Sequence, residues 1–336
     1  MDEIVVARAS DGLRAYFPDV VSLGPGGLLA AYREGEGHLR GTGRILTVGS
    51  RDGGQTWSPP VTAVDGPHDD RDPKLARLSD GTVLLSYFVI DWTTEPRHTV
   101  RGTYVRRSTD DGVTWSEPVR IVSRLDRDGT GEAATHGPIV ELPGGDLLAP
   151  IYGARPAGTR HEATVVRSRD GGRSWQAETE VTLGAASGIS FQEPNLVILA
   201  GGEIVALIRT TAGRAYLCRS SDGGRTWSAP APTDLPASSH HLLPVSAGGV
   251  LVTYGDISGR FAPRRHTVGR LVARPHETWN GWPDLPLYDS GHDDQANPSS
   301  VEVSPDRFLT LSFDVTRAAV VGVFSTADDY RPADGP

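Results

Sequence analysis

The sequence is poor in cysteine, with Cys218 as the single copy among 336 residues. One cysteine excludes a disulfide framework and any cysteine-based zinc site. No apolar run approaches the ~18 residues that a membrane-spanning helix requires, so we expect no membrane partner. The first residues, MDEIVVARASDG, carry acidic side chains where a signal peptide has basic ones. We therefore expect a soluble, cytoplasmic protein, or a secreted one if a leader has been removed.

Positive charge is also scarce, because 42 acidic residues outnumber 33 basic ones and leave a net charge of −9. A chain with this balance lacks the electrostatic footprint of a nucleic-acid-binding protein, so we expect no nucleic-acid partner. Lys74 is the single lysine, and the remaining basic residues are arginines, whose forked guanidinium suits carboxylates and phosphates. No HxH or HExxH spacing indicates a metal site, and no motif indicates a cofactor.

One octapeptide recurs at nearly even spacing along the chain. Its copies are SRDGGQTW (50–57), STDDGVTW (108–115), SRDGGRSW (168–175) and SSDGGRTW (220–227), followed by a worn copy, RPHETW (274–279). The aspartate and the glycines are typical of a hairpin turn, and the closing tryptophan is large enough to pack between neighbouring sheets. We therefore assign a structural role to the aspartates of the four full copies, Asp52, Asp110, Asp170 and Asp222.

A second repeat lies between the octapeptides and has the pattern of a β-hairpin, with a short alternating strand, a turn and a second apolar strand. Its six copies are residues 17–32, 72–87, 137–152, 193–208, 240–254 and 297–313. A third strand leads into each octapeptide and an outer strand follows it. Six sheets of four strands in one chain predict a β-propeller with six blades.

The closure of the ring is predicted from the two ends of the chain. The last unit lacks an octapeptide and ends near residue 325, so the segment EIVVARA (3–9) is expected to supply its missing outer strand. The prediction is an all-β fold. It is a single domain over residues 1–336, a six-bladed β-propeller of four-stranded antiparallel blades closed by the N-terminal strand.

The repeated S-x-D-x-G-x-T-W boxes resemble the sialidase (neuraminidase) superfamily along the whole chain. The resemblance implies that the first strand of each blade lines a central pocket. In sialidases this pocket holds three arginines, a tyrosine nucleophile paired with a glutamate, and an aspartate acid/base. Glu193 and Arg209 match the family's glutamate and the arginine sixteen residues later, while Arg265 (or Arg264) matches the arginine before the third strand of the fifth unit.

Three family positions are occupied differently in this chain. The opening Arg-Ile-Pro is replaced by Tyr16-Phe17-Pro18, so the first arginine is absent, and neither Arg14 nor Arg33 is in register to replace it. The Tyr-Ser pair of the last blade aligns with Asn297-Pro298-Ser299, so the tyrosine nucleophile is absent as well. The loop after the first hairpin has, in place of a clear aspartate, Glu34, Glu36 and His38. We therefore expect a divergent member that is not a standard sialidase.

Equivalent positions of the six blades converge around one axis, so the residues at or just before the aligned proline of each unit are expected to share one neighbourhood. This ring is polar in every blade, which is typical of a solvent-filled pocket rather than a packed core. Its members are Tyr16, Asp19, Arg71, Asp72, His136, Gln192, Glu193, His240, His241 and Asn297.

Within this set, Glu193 is the leading catalytic candidate, as nucleophile, base or polariser of a nucleophile, with Asp72 as the acid. His136 and His240 are candidates for acid–base catalysis, because imidazole titrates near neutrality. The candidate substrate-binding residues are Arg33, Arg71, Arg209, Arg265, His38, His241, Asn297 and Gln192.

Three functions fit these residues. The first is an exo-acting glycoside hydrolase on an acidic or otherwise polar sugar, which needs two carboxyl groups beside the scissile bond. The second is a polysaccharide lyase, in which a histidine or a tyrosine removes the proton α to a uronate carboxylate that arginines neutralise. The third is a lectin-like propeller that binds carbohydrate without turnover. The arginines favour an anionic ligand, neutral arabinan-type sugars stay open, and the fold alone does not separate the three functions.

Overall fold

Antiparallel β-strands make up nearly all of the regular structure. The computed structural model describes residues 1–94, 98–126, 131–155, 158 and 160–331. This part of the chain contains 24 strands and two short 3₁₀ helices, Ala177–Thr179 and Ala327–Tyr330. Neither of these helices has the length and apolar character that crossing a bilayer would require.

The 24 strands form six blades of four. Strand β1 (Glu3–Arg8) comes first in the chain but belongs to blade 6. Blades 1 and 2 consist of β2 (Arg14–Gly24), β3 (Gly27–Gly35), β4 (Gly43–Ser50), β5 (Val61–Val64), β6 (Asp69–Arg77), β7 (Val83–Asp91), β8 (Thr99–Ser108) and β9 (Val119–Ile121). Blades 3 and 4 consist of β10 (Val140–Glu141), β11 (Leu147–Gly153), β12 (Glu162–Ser168), β13 (Val181–Gly184), β14 (Phe191–Ile198), β15 (Ile204–Thr210), β16 (Arg214–Ser220) and β17 (Ala231–Pro236). Blades 5 and 6 consist of β18 (His240–Pro244), β19 (Val250–Asp256), β20 (His266–Val272), β21 (Asp284–Tyr288), β22 (Gln295–Ser304), β23 (Arg307–Asp314), β24 (Ala319–Thr326) and β1.

The N-terminal strand closes the ring as predicted. Strand β1 pairs antiparallel with β24, with Glu3 opposite Val323 and Arg8 opposite Ala319. Blade 6 is therefore built from both ends of the described chain. Such closure leaves no long open sheet edge between the last blade and the first, and the predicted all-β propeller of four-stranded antiparallel blades is confirmed.

The first strand of each blade lies nearest the axis. Strand β2 contacts both β6 and β22, the first strands of the two neighbouring blades, and β18 likewise contacts β14 and β22. Blades 1 and 2 are also joined by one parallel bridge between Gly43 and Asp69. Side chains at the same end of these innermost strands are thereby brought together at the centre of the ring.

The octapeptides form the predicted hairpin turns. In the first copy Ser50 donates to a carboxylate oxygen of Asp52 at 2.8 Å, and the same carboxylate accepts from the backbone N–H of Thr56 at 2.9 Å. The Gly54 N–H donates back to the Ser50 hydroxyl at 2.9 Å. Equivalent bonds surround the other three aspartates, Asp110, Asp170 and Asp222.

Five tryptophans pack between successive blades, at the end of each octapeptide copy. They are Trp57, Trp115, Trp175, Trp227 and Trp279. Blade 6 has no octapeptide, and the contact between blades 5 and 6 is filled by Tyr330, which packs with Phe308 and Leu251. The last unit therefore extends beyond residue 325, because a 3₁₀ helix after β24 supplies the missing aromatic wedge.

Candidate active site

The side chains of the site are aimed by a backbone feature that recurs in four blades. In β2, β6, β14 and β22 two residues leave the regular pairing with the next strand in a β-bulge. The first of the two precedes a proline and has the positive φ that non-glycine residues adopt only at an energetic cost. These residues are Phe17, Asp72, Glu193 and Asn297, with φ of 52°, 47°, 49° and 46°. All four line one pocket.

This central pocket has a volume of about 260 Å³ and receives side chains from all six blades. Seven of the residues predicted from sequence line it: His38, Arg71, Asp72, Glu193, Arg209, Arg265 and Asn297. Five of the candidate catalytic and substrate-binding residues lie elsewhere: Arg33, His136, Gln192, His240 and His241. The ring members Tyr16 and Asp19 also lie outside the lining. The convergence expected at the aligned prolines is therefore found for the bulged strands and not for the others.

Glu193 is held as a carboxylate by two donors. Arg209 donates to Oε1 at 2.9 Å, and the hydroxyl of Ser239 donates to Oε2 at 2.7 Å. Burial opposes ionisation of Glu193, but the charge of Arg209 and these hydrogen bonds outweigh it and lower the pKa to about 2. The pairing predicted from the spacing of Glu193 and Arg209 is thus present, and Glu193 stays anionic over the ordinary pH range.

Asp72 has the opposite electrostatic environment. The residue is only 8% exposed, and its Oδ1 has no hydrogen-bond partner among the described residues. Burial raises the pKa of Asp72 and nearby Glu193 raises it further, while Arg71 and Lys74 pull in the other direction. One pocket therefore holds two carboxyl groups, one kept ionised and one whose proton is retained to higher pH than usual.

Arg265 is a pocket arginine whose positive charge is not paired with a described carboxylate. It donates to the amide oxygen of Asn297, its Nε has no partner, and no described carboxylate lies within ion-pair distance of it. Burial lowers the pKa of Arg265 to about 10. Its neighbour Arg264 instead pairs with Asp289 at 2.7 Å near the surface, so Arg265 is the one of the two predicted arginines that reaches the pocket.

Arg71 also enters the pocket, but its charge is engaged. It donates to Asp69 at 2.9 Å and to the backbone carbonyl of His38 at 2.7 Å. Its guanidinium lies 5.0 Å from the centre of the Phe17 ring, which is within cation–π distance. Arg71 therefore ties the loop that carries His38 to the wall of the pocket.

Arg33 was expected to bind substrate, and its position contradicts that expectation. The residue is fully buried behind the pocket wall, where its Nε donates to Asp69 Oδ1 at 2.7 Å and its Nη1 donates to the carbonyl of Gly37 at 2.9 Å. Tyr16, opposite Arg33 in the β2–β3 ladder, is also buried. The physical reason is Asp69, which supplies the buried counter-charge that holds the Arg33 guanidinium away from the pocket.

His136 and His240 were expected in the solvent-filled pocket, and neither lines it. They are 2% and 0% exposed, and burial lowers the pKa of each to about 3. Strand β18 pairs with β19 from His240 onward without a bulge, so Ser239 faces the pocket where the bulged blades present the residue before proline. His136 does not lie in a β-strand, so no bulge turns it towards the pocket either.

The other predicted polar residues take supporting positions. His38 lies at the pocket mouth, where its Nδ1 is 2.6 Å from a carboxylate oxygen of Asp294. Gln192 lies behind the lining, with its amide nitrogen 2.8 Å from Nδ1 of His161. His241 lies in a different cleft and accepts a hydrogen bond from the backbone N–H of Ser300 at 3.2 Å. None of these placements tests a functional role, so the roles assigned to His38, Gln192 and His241 stay predictions.

Tyr152 is a pocket residue that sequence reasoning missed. It lies at the end of β11 and lines the pocket with Glu193 and Asp72. Burial, followed by the negative charges of these two carboxyl groups, raises its pKa well above that of a free tyrosine. The phenol is therefore a neutral hydrogen-bond donor. The sequence does hold a signal for Tyr152 as a pocket residue. Tyr152 lies near the end of a hairpin's second strand, at the position that Arg209 occupies in blade 4.

A second group missed from sequence connects Gln192 to a third carboxylate. Because an amide nitrogen only donates, His161 Nδ1 accepts from Gln192, and the Nε2–H is left to point at Glu132 Oε2, 3.2 Å away. Both His161 and Glu132 line the pocket. Neither residue lies in a strand, so no strand periodicity marks it as inward-facing.

The lining as a whole is suited to acid–base chemistry on a polar ligand. It combines a carboxylate at Glu193, a carboxyl group at Asp72 whose pKa is raised by burial, the guanidinium of Arg265 without an ion-pair partner among the described residues, and aromatic walls. Within the described ranges, no three His, Cys, Asp or Glu side chains are grouped so that they could hold a metal ion.

Solved structures of other proteins share the propeller fold, and three of them are compared with this chain. A protein of unknown function from Dyadobacter fermentans aligns over 96% of this chain and 97% of its own, with a TM-score of 0.84 and 23% identity. The NanB sialidase of Streptococcus pneumoniae aligns over 98% of this chain and 70% of its own, with a TM-score of 0.73 and 14% identity. An α-L-arabinanase of Penicillium chrysogenum aligns over 98% and 99%, with a TM-score of 0.72 and 15% identity. At these identities the likeness shows the fold.

A curated relative, an exo-alpha-sialidase of Aspergillus fumigatus, is 34% identical over 119 residues. The match covers 35% of this chain and 26% of that protein, so the chain spans about a quarter of the relative's length. Residues 26–280 match the family described as BNR repeat-like domain. These findings support the predicted place in the sialidase/BNR propeller superfamily, and the chain belongs to the BNR repeat-like domain family.

Proposed function

We propose that the chain is an exo-acting glycoside hydrolase that removes a terminal acidic or polar sugar bound in the central pocket. The observation that carries the proposal is the pair Asp72 and Glu193, whose surroundings shift their pKa values in opposite directions. Cleavage of a glycosidic bond by carboxyl groups needs one proton donor and one anion. Asp72 is the donor and Glu193 is the anion.

The reaction transfers one proton and consumes one water. Asp72 protonates the glycosidic oxygen as the bond from that oxygen to the anomeric carbon breaks, so the leaving group departs as an alcohol. Glu193 either attacks the anomeric carbon and is later displaced by water, or removes a proton from the attacking water. In both routes the water's oxygen ends on the sugar. In the first route Asp72 regains its proton from the water that displaces Glu193; in the second Glu193 releases the water's proton to solvent and Asp72 is reprotonated from solvent.

The preference for an acidic sugar rests on Arg265. A buried guanidinium without a carboxylate partner is stabilised by an anionic ligand, because the ligand restores the charge balance that burial removes. Asn297, which accepts from Arg265, fixes the direction of the guanidinium. A sugar carboxylate therefore fits this side of the pocket better than a hydroxyl group.

Tyr152 supports the reaction as a donor rather than as a nucleophile. Its raised pKa keeps the phenol neutral, so the hydroxyl can donate to a ring or hydroxyl oxygen of the sugar, or to the carboxylate of Glu193. This role differs from the nucleophilic tyrosine that the resemblance to sialidases implies for the last blade.

The lyase alternative loses support from the positions of its two histidine candidates. His136 and His240 are buried away from the pocket lining, so neither is placed to remove a proton from a bound uronate. Its other candidate base, a tyrosine, has a counterpart in Tyr152, whose raised pKa disfavours the phenolate form that would act as the base. The lectin-like alternative uses the same pocket without turnover.

A glycan panel tests the proposal. The protein is incubated with sialosides, uronides, arabinosides and rhamnosides, and each reaction is read for new reducing ends and for the ultraviolet absorbance of an unsaturated uronate. We expect reducing ends without absorbance, on an anionic sugar. Absorbance together with reducing ends would overturn the proposal in favour of a lyase. Binding without either signal would overturn it in favour of a lectin-like protein.

A further inference from the structure

A second cavity, the side cleft, adjoins the central pocket on the side of blade 2. Its volume is about 580 Å³, against about 260 Å³ for the central pocket. Arg40 and Thr42, in the loop between β3 and β4, lie on its blade 1 side. Ile90, Trp92 and His98 line both cavities. The two cavities therefore share a wall.

The shared wall presents an aromatic surface whose orientation is fixed. Trp92 Nε1 donates to Asp69 Oδ2 at 2.8 Å, and Asp69 is itself held by Arg33 at 2.7 Å. The ring of His98 lies 4.9 Å from the Trp92 ring, centre to centre. Trp92 is only partly buried, so one side of this aromatic pair is open to a ligand.

The rim of the side cleft is polar. Arg40 and Thr42 are exposed and His68 is half-buried. An aromatic platform with hydrogen-bonding groups at its edge matches a sugar ring, which has C–H groups on one face and hydroxyls around its circumference. The chemistry of the cleft therefore suits a carbohydrate residue.

The cleft lies on the side of the proposed acid. In blade 2, Asp69 is opposite Ile90 and Arg71 is opposite Phe88 in the β6–β7 ladder, and Asp72 follows Arg71. The acid and the shared wall thus belong to one hairpin. A general acid must reach the glycosidic oxygen, and after cleavage this oxygen belongs to the leaving group. With Asp72 as the acid, the leaving group lies on the blade 2 side of the pocket, which is also the side of the shared wall.

We propose that the side cleft binds the leaving-group sugar, which stacks on Trp92 and His98. The substrate class is then a glycan of two or more sugars, with its terminal residue in the central pocket and the next residue in the side cleft. This inference rests on the proposed hydrolysis with Asp72 as the acid.

The test compares two probes made from the terminal sugar that the glycan panel identifies. One is its disaccharide with a second sugar, and the other is its glycosyl fluoride, whose leaving group is a single atom.

Thr42→Trp fills the side cleft, and we expect it to lower the ratio of kcat/KM for the disaccharide to that for the fluoride about tenfold. His98→Ala removes one stacking ring, and we expect a several-fold rise in KM for the disaccharide.

Val113→Trp is the matched control, because Val113 is 69% exposed in the turn of the second octapeptide and does not line either cavity. It is expected to leave the ratio unchanged. A ratio unaffected by both Thr42→Trp and His98→Ala overturns the inference while leaving hydrolysis in place. If the wild-type protein hydrolyses neither probe, the proposed function fails and the inference fails with it.

Discussion

The Glu193→Gln variant is expected to lose hydrolytic turnover, with kcat reduced at least about 10³-fold. Glutamine cannot carry the negative charge that Arg209 and Ser239 stabilise at this position. Its side chain has the same shape, and its amide oxygen still accepts from Arg209, so the pocket is expected to keep its geometry. The measurements are kcat on the glycan identified by the panel and the binding affinity by calorimetry, which should change no more than several-fold.

The matched control for this variant is Glu277→Gln. Glu277 is 63% exposed and pairs with Arg274 on the surface, so the same chemical change there should leave both kcat and the melting temperature near those of the wild-type protein. A Glu193→Gln protein with kcat within tenfold of the wild type would show that Glu193 serves only as an ion-pair partner of Arg209.

The Asp69→Ala variant is expected to lower the free energy of unfolding by about 3–5 kcal/mol. Asp69 is fully buried and accepts from Arg33 at 2.7 Å, Arg71 at 2.9 Å and Trp92 at 2.8 Å. Its removal leaves the buried guanidinium of Arg33 without a counter-charge, which costs far more than the loss of an exposed pair. Urea denaturation of both proteins measures the difference.

Glu277→Ala is the control for Asp69→Ala. It breaks the exposed Arg274–Glu277 pair, whose ions are 3.0 Å apart, and should change the free energy of unfolding by less than about 1 kcal/mol. Equal effects of the two substitutions would contradict the assignment of Asp69 as the buried anchor of the pocket wall.

The propeller could be predicted because its signals are local. The Ser, Asp and Gly residues of each octapeptide bond to one another within a single turn, so the sequence pattern and the structure coincide. The hairpin repeat likewise follows from alternation and turn residues. Tyr330 was not predicted, since its role as the sixth aromatic wedge depends on the absence of an octapeptide in blade 6 and on a distant contact with Phe308.

Part of the candidate site could be predicted because a proline in the sequence marks the position of each bulge. Asp72, Glu193 and Asn297 each precede a proline and line the pocket. His240 has no such marker, and because side chains alternate along a strand, a difference of one residue moves a side chain to the other face. Ser239 lines the pocket in its place.

Arg33 shows a second limit of sequence reasoning. Its partner Asp69 lies 36 residues away in the next blade, and no local pattern reports that a long polar side chain will be buried by such a pair. Glu132 and His161 were missed for a related reason, because irregular segments have no periodicity from which an inward direction can be inferred.

The most direct test of the proposed chemistry is the pH dependence of kcat/KM, measured on a 4-nitrophenyl glycoside of the identified sugar with wild-type protein and Asp72→Asn. The active form has Asp72 protonated and Glu193 ionised. Burial raises the pKa of Asp72, and Arg209 and Ser239, acting against burial, lower that of Glu193 to about 2. We therefore expect kcat/KM of the wild type to fall as the pH rises through the pKa of Asp72. The weaker activity of Asp72→Asn should no longer show this fall. A fall that persists unchanged in Asp72→Asn would contradict the assignment of Asp72 as the acid.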